Sequence, residues 1–253
     1  MEKVGDIADK LKKVPYDQLP GVIEEYDADD RAGVQKALVQ AKKRLAFYRG
    51  ELERLENMKV FERKYSSQGF AAICGIDEAG RGPLAGPVVA AAVVLPAEAK
   101  LLYLNDSKQV SAKRREELYD QIMECALGVG TGIVSPERID EINILQATYE
   151  AMRMAISSLG MEPDVLLVDA LQIPGVSIKQ EGIIKGDAKS VSIAAASIIA
   201  KVTRDRMMEA YAKEYPEYHF ASNKGYGSKE HIAAIQEAGP CAIHRRTFIK
   251  NFM

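Results

Sequence analysis

The sequence has little cysteine, no long apolar run and no excess of charge of either sign. Its three cysteines, Cys74, Cys125 and Cys241, lie far apart and form no CxxC pair. That spacing argues against a zinc site and for reduced thiols in a cytoplasmic protein. No apolar stretch reaches the roughly 18 residues that span a bilayer, so no membrane partner is expected. The opening MEKVGDIADKLKK is charged and lacks the apolar core of a secretion signal. The net charge is -2 and the pI about 6.0. Any contact with nucleic acid, which favours a basic face, must therefore be local. There is also no internal repeat and no low-complexity tract.

What is present is globular in composition: 253 residues, 47% hydrophobic and 28% charged, enough for one large domain with an appendage. Basic clusters stand at Lys42-Lys43-Arg44, Lys113-Arg114-Arg115 and Arg245-Arg246. Each, taken alone, reads as a solvated helix face or tail.

Residues 1–70 are rich in helix formers. Asp29 and Asp30 offer an N-cap. After them Val34, Leu38, Ala41, Leu45, Tyr48, Leu52 and Leu55 recur at alternating spacings of four and three, a heptad seam. Three heptads are short for an independent coiled coil, so the pattern predicts a helical hairpin packed on residues 3–13 or 18–26. Residues 66–69 read as a linker.

Beyond residue 70 the texture changes. Apolar runs over 71–77, 88–95 and 127–134 read as strands, as do 164–169 and part of 176–184. Ser111 caps a helix to about residue 126. Ser135-Pro136 opens another that reaches about residue 159 with a break near Ile142-Asn143. Further helices span 190–214 and about 228–238. Strands in succession followed by alternating strands and helices predict an α/β domain with a mixed sheet over residues 71–253.

The chemistry begins at Asp77-Glu78, two carboxylates closing an apolar run and followed by Ala79-Gly80-Arg81-Gly82-Pro83. An Asp-Glu pair before glycine also suits a surface turn. However, a carboxylate on a buried strand face is costly unless it is paired or bound to metal. Asp169 ends the run 165–168, and ligands gather at the carboxyl ends of strands in α/β sheets. Asp187 precedes an alanine-rich helix, where it could equally serve as an N-terminal charge or cap. Three acidic positions at the ends of buried elements, with no His or Cys beside them, suit a hard cation. Mg2+ or Mn2+ is expected rather than zinc, and paired carboxylate sites of this kind support two-metal phosphoryl chemistry.

Six segments then resemble the ribonuclease HII family, in family order, over residues 71 to about 250. They are residues 77–88, Asn105-Asp106-Ser107-Lys108, Val168-Asp169-Ala170, residues 185–190 with the alanine-rich helix start, residues 223–231, and His244-Arg245-Arg246-Thr247-Phe248. The resemblance implies an RNase H-like fold, a five-stranded mixed sheet flanked by helices, preceded here by a helical extension. It also implies that Asp77, Glu78, Asp169 and Asp187 are both catalytic and metal-holding, with two divalent ions. Substrate contacts carry over to Gly80, Arg81, Gly82, Ser107, Lys108, Lys189 and Tyr226. Gly80-Arg81-Gly82 would touch the 2′-hydroxyl that separates RNA from DNA, and Tyr226 would pack on a sugar beyond the cut. Ser228 stands where many members have threonine and keeps the hydroxyl.

The implied partners are RNA/DNA hybrid and duplex DNA containing ribonucleotides, cut 5′ of the ribonucleotide by a monomer. The rival readings are a different RNase H-fold nuclease, such as a ribonuclease HIII or a junction resolvase, and a non-catalytic hybrid-binding module. Among the other polar residues, Lys201–Asp205 reads as a surface pair, and His231 and His244 as structural or phosphate-facing. Removal of residues 1–70 is expected to leave a folded domain, with the extension either gripping duplex or acting as a buttress.

Overall fold

The computed structural model describes residues 2–251 and divides into two compact units, residues 1–57 and 58–253.

The first unit is helical: α1 (Val4–Lys13), α2 (Leu19–Tyr26) and most of α3 (Ala32–Met58). The seam of α3 does not choose between the two expected partners. Val34, Leu38 and Ala41 are buried with Ile7 and Leu11 of α1 and with Leu19, Ile23 and Tyr26 of α2. Arg44 closes the end of α1 by donating to the carbonyls of Leu11 (3.1 Å) and Val14 (2.6 Å), over the ring of Tyr16.

The second unit opens with α4 (Val60–Ser66). It continues with β1 (Ile73–Ala79), β2 (Val88–Val94), α5 (Ala112–Cys125), β3 (Gly128–Val134), α6 (Pro136–Ser157), β4 (Val165–Asp169) and β5 (Lys179–Ile183). Helices α7 (Val191–Glu214), α8 (Phe220–Asn223), α9 (Lys229–Ala238) and α10 (Arg246–Ile249) complete it. The sheet order is β3-β2-β1-β4-β5. Strands β1, β2 and β3 pair antiparallel, whereas β1–β4 and β4–β5 pair parallel. The expected five-stranded mixed sheet flanked by helices is therefore the observed one.

Alternation along β1 and β4 sorts side chains between two cores. Cys74, Ile76, Leu166 and Val168 pack with Ala147, Ala151 and Ala155 of α6. Ile73, Val165 and Leu167 pack with Ile193 of α7 and Tyr65 of α4. Helix α7 comes so close to β1 that a Cβ on Gly75 would lie 2.0 Å from the backbone of Ser192. Serines 111, 135, 190 and 228 cap α5, α6, α7 and α9. The expected break in α6 is at Asn143 (φ 67°), whose side chain accepts from Leu145 and Gln146 and restarts the helix.

Two boundaries differ from expectation. Strand β1 does not stop at Asp77; pairing with β2 carries it on through Glu78↔Ala90 and Ala79↔Val89. The compact units divide between Asn57 and Met58, before the linker-like residues 66–69, because α4 buries Tyr65 in the second unit's core.

Candidate active site

Register places the first two acidic positions. Ile76 of β1 stands opposite Val168 of the parallel strand β4, so the next residues, Asp77 and Asp169, are neighbours across the two strands, Asp169 at the end of β4 and Asp77 two residues before the end of β1. A turn of 3-10 helix, Gly186–Ala188, brings Asp187 to the same end of the sheet. Asp169 Oδ1 accepts the Gly186 N–H at 2.7 Å and ties that turn to β4. Asp187 is not the cap of α7, since Ser190 accepts from Ile193 N in that role.

These carboxylates burden one another. Asp77 is buried, and burial, then Glu78, then Asp169 push its pKa well above the ordinary carboxylate range. Its one close donor on the main chain is Glu78 N–H, at 2.7 Å. Burial also raises Glu78 against the pull of Arg81, whose guanidinium lies 3.3 Å away. Asp187 is raised by burial, then Asp106, then Asp169. Lys108 faces this cluster. Burial lowers its pKa, but Asp106, Asp77 and Asp187 together outweigh that and raise it. Among the described residues no three of His, Cys, Asp and Glu are gathered so that they could hold a metal ion as they stand. The donor set nonetheless fits a hard cation, because it is all oxygen and Glu78 Oε2 is buried with no hydrogen-bond partner.

Other expected contact residues have varied settings. Ser107 is buried, and its hydroxyl accepts from Ser197 of α7 at 2.9 Å. Lys189 is exposed and donates to the Ile184 carbonyl. Gly80, Arg81 and Gly82 form the turn after β1. Gly80 has φ 97°, and a Cβ on it would strike Arg204 at 2.2 Å. A Cβ on Gly82 would lie 3.8 Å from the Tyr226 ring, so the glycine turn and Tyr226 are neighbours.

Two arginines build that neighbourhood. Arg245 is 0% exposed, which corrects the reading of Arg245-Arg246 as a solvated pair. It donates to the carbonyls of Gly80 (2.5 Å), Arg81 (2.9 Å) and Gly86 (3.0 and 2.8 Å). Arg204 of α7, 1% exposed, donates to Pro87, Ala85 and Lys224. Burial lowers both pKa values, and the mutual repulsion of the pair adds to this at Arg245. Gly225 closes the platform by accepting from Leu84 N at 2.8 Å.

The Tyr226 carbonyl ends a histidine relay whose tautomers follow from one main-chain donor. Cys241 N–H donates to His244 Nδ1 (3.0 Å), so His244 carries its proton on Nε2 and donates to His231 Nε2 (2.9 Å). His231 Nδ1–H then donates to the Tyr226 carbonyl (2.8 Å). Both rings are buried, burial lowers both pKa values, and their partners are the Tyr226 carbonyl and the Cys241 N–H, which is a structural role. Lys201–Asp205 is another correction: the pair is mostly buried, with Arg115 also near Asp205.

Sequence reasoning missed Arg204, Ser197, Asp106 and the burial of Arg245. Asp106 and Arg245 do lie within two of the six matching segments. Ser197 closes the Ser-Ile-Ala-Ala-Ala-Ser run of another matching segment, whereas Arg204 carries no signal beyond its position on the same helix.

Comparison with known proteins gives a consistent result. The profile of ribonuclease HII matches residues 74–251, and that of the ribonuclease HII N-terminal domain matches residues 3–66. A ribonuclease HII of Lachnoclostridium phytofermentans is 55% identical over 98% of this chain and 97% of its own length. The crystal structure of ribonuclease H2 from Pyrococcus horikoshii superposes with TM-score 0.58 at 30% identity, covering 69% of this chain and 92% of that one. A ribonuclease HIII in complex with Mn2+ (Bst-RNase HIII) has TM-score 0.53 at 19% identity, covering 66% of this chain and 63% of that one, a likeness of fold. No helix among the described residues is long and apolar enough to cross a membrane.

Proposed function

The chain belongs to the ribonuclease HII family, and on that premise we propose that it hydrolyses the RNA strand of RNA/DNA hybrids and cuts 5′ of ribonucleotides embedded in duplex DNA. The products carry 3′-hydroxyl and 5′-phosphate ends. The observation that carries this reading is the cluster of mutually repelling carboxylates on the neighbouring strands β1 and β4, with Glu78 Oε2 left buried and unpartnered. Such a cluster gains nothing for a protein that only binds phosphate, which it would repel.

Asp77, Glu78, Asp169 and Asp187 would hold two divalent ions, Mg2+ or Mn2+. When bound, such ions activate water and stabilise the leaving oxygen. A ribonuclease HIII of the same fold takes up Mn2+, which favours that donor chemistry here. Lys108 offsets part of the cluster's charge and is free to face a phosphate. The missing Cβ of Gly80 makes room for Arg204 behind the turn, that of Gly82 leaves its main chain open to a sugar, and Tyr226, half exposed, offers its ring to the neighbouring sugar. Ser107 and Lys189 border the site and serve the phosphates. All of this lies in residues 71–253, and we assign catalysis to that part. Residues 1–57 carry eleven basic and twelve acidic side chains, a balance that argues against a grip on phosphate.

The test is cleavage of a DNA duplex containing a single ribonucleotide, with Mg2+ and with Mn2+. One cut on the 5′ side of the ribonucleotide is expected with at least one ion. Cleavage of long hybrids alone, with the single ribonucleotide untouched, would replace this reading with the ribonuclease HIII alternative.

A further inference from the structure

Helix α4 falls on different sides of two divisions. Similarity to the ribonuclease HII N-terminal domain runs to residue 66 and groups α4 with the appendage. Packing places it in the second unit, which begins at Met58. Tyr65 is buried against β1, β4, β5 and α7, and its hydroxyl donates to Glu181 of β5. One turn earlier, Glu62 reaches the start of α7. Its Oε1 accepts from the Ser190 hydroxyl at 2.5 Å and from Ser192 N–H at 3.0 Å.

Ser190 already caps α7 unaided, since its Oγ accepts from Ile193 N. Glu62 therefore adds something else: it locks the rotamer of the cap and anchors the first turn to another helix. The consequence travels along hydrogen bonds. Ser190 N–H donates to the Gly186 carbonyl at 2.8 Å, and Gly186 N–H donates to Asp169 Oδ1 at 2.7 Å. Asp187 lies inside the loop so closed. Meanwhile Glu62 Oε2 is buried with no hydrogen-bond partner, a cost that a purely stabilising contact would avoid.

We propose that Glu62 is a positioning residue for catalysis, acting through Ser190 and Gly186 to fix where Asp187 and Asp169 stand. The inference rests on the reading of those carboxylates as the metal-holding set. It makes α4 part of the catalytic machinery's frame, although the chain reaches α4 before any matched motif.

The test uses the full chain and the variants Glu62→Ala and Glu62→Gln, with Asp77→Asn as a control. Mn2+ uptake by the protein alone is followed through the free-ion electron paramagnetic resonance signal, beside steady-state cleavage and thermal melts. Glu62→Ala should weaken Mn2+ binding by about threefold to tenfold and lower kcat to match, below the roughly 10–100-fold of a group touching the metal ligands directly. Its KM should stay near that of the wild type. Glu62→Gln keeps an oxygen acceptor for both donors and should restore both quantities. Should Glu62→Ala fail to fold, Glu62→Asp keeps the charge but is one methylene too short, and the same loss is expected of it. Glu62→Ala with a lowered melting temperature but wild-type Mn2+ affinity and kcat would overturn the proposal. If the wild type binds Mn2+, Asp77→Asn does not, and Glu62→Ala binds like the wild type, the Glu62 inference alone fails. If the wild type takes up no Mn2+, the metal reading falls and takes this inference with it.

Discussion

The two units handle charge in opposite ways. In residues 1–57 the pairs Lys10–Glu25, Lys13–Asp9 and Lys42–Asp27 keep both partners at the surface, where such pairs contribute about 1 kcal/mol or less. In residues 58–253 charge goes inside, and there it takes two forms. Arg204 and Arg245 are buried and satisfied by carbonyls from the glycine turn and its neighbours. Asp77 and Asp187 are buried to differing degrees and repelled by neighbouring carboxylates, and Glu78, although Arg81 reaches one of its oxygens, leaves the other buried without a partner. Matched buried charge holds a shape; unmatched buried charge marks where a ligand is missing. In the first unit the covered charges, such as Arg44 on the Leu11 and Val14 carbonyls and Arg31 beside Asp29, are all of the matched form and predict nothing about chemistry.

The sharpest way to break that contrast is to remove one unmatched charge. Asp77→Asn should lower cleavage by more than about a hundredfold, the upper range even for partners one step removed from a metal. Its effect on stability has the opposite sign. A carboxyl whose folded pKa is raised stabilises the fold only at low pH, and loses that contribution as pH rises above the ordinary carboxylate range. At neutral pH and without metal, Asp77→Asn should therefore melt higher than the wild type. Loss of activity together with a lower melting temperature would class Asp77 with the matched charges.

Removing a matched charge should do the reverse. Arg245→Met leaves the carbonyls of Gly80, Arg81 and Gly86 without their donor, at a cost of about 3–5 kcal/mol in denaturant unfolding. A change below about 1 kcal/mol would show that water replaces the guanidinium.

A truncation pair sharpens where the units part. Deleting residues 1–57 should leave the second unit folded. Deleting residues 1–66 also removes Tyr65 and Glu62, and should cost about 2–4 kcal/mol more. For the same reason a 1–70 deletion should cost at least as much as the 1–66 deletion. Equal melting temperatures for the two truncations would return α4 to the appendage.

The histidine relay gives a smaller effect with a defined window. Burial lowers His231, and burial with His231 lowers His244 to about 4. A depressed folded pKa means stability present above the ordinary histidine value and lost as pH falls from there toward 4. The loss should be on the order of 1–2 kcal/mol, and a His244→Asn variant should show a flatter profile across that range. Smallest of all, Lys42→Ala should change stability by less than about 0.5 kcal/mol and leave cleavage unaltered.

Much of this was legible in the sequence, for physical reasons. The carboxylates stood out because apolar runs ended in charge, and the helix starts because serine preceded them. The break at Asn143 was readable as a polar interruption of an apolar helix face. Burial of Arg245 was not readable. Its partners are main-chain carbonyls near residues 80–86, and no side-chain pattern announces a carbonyl. The extension of β1 past Asp77 depended on pairing with β2, which local sequence does not encode. Lys201–Asp205 looked like a surface pair because its spacing is that of any exposed helix pair. The place of α4 turned on one tyrosine and one glutamate, too few to alter the helical texture of residues 1–70.

The most direct test is anomalous diffraction from crystals soaked in Mn2+. Ions held at bonding distance by Asp77, Glu78, Asp169 and Asp187 are the predicted result, with the peaks lost in Asp77→Asn crystals. Mn2+ bound elsewhere on the chain, with those four carboxylates left bare at a saturating concentration, would contradict it.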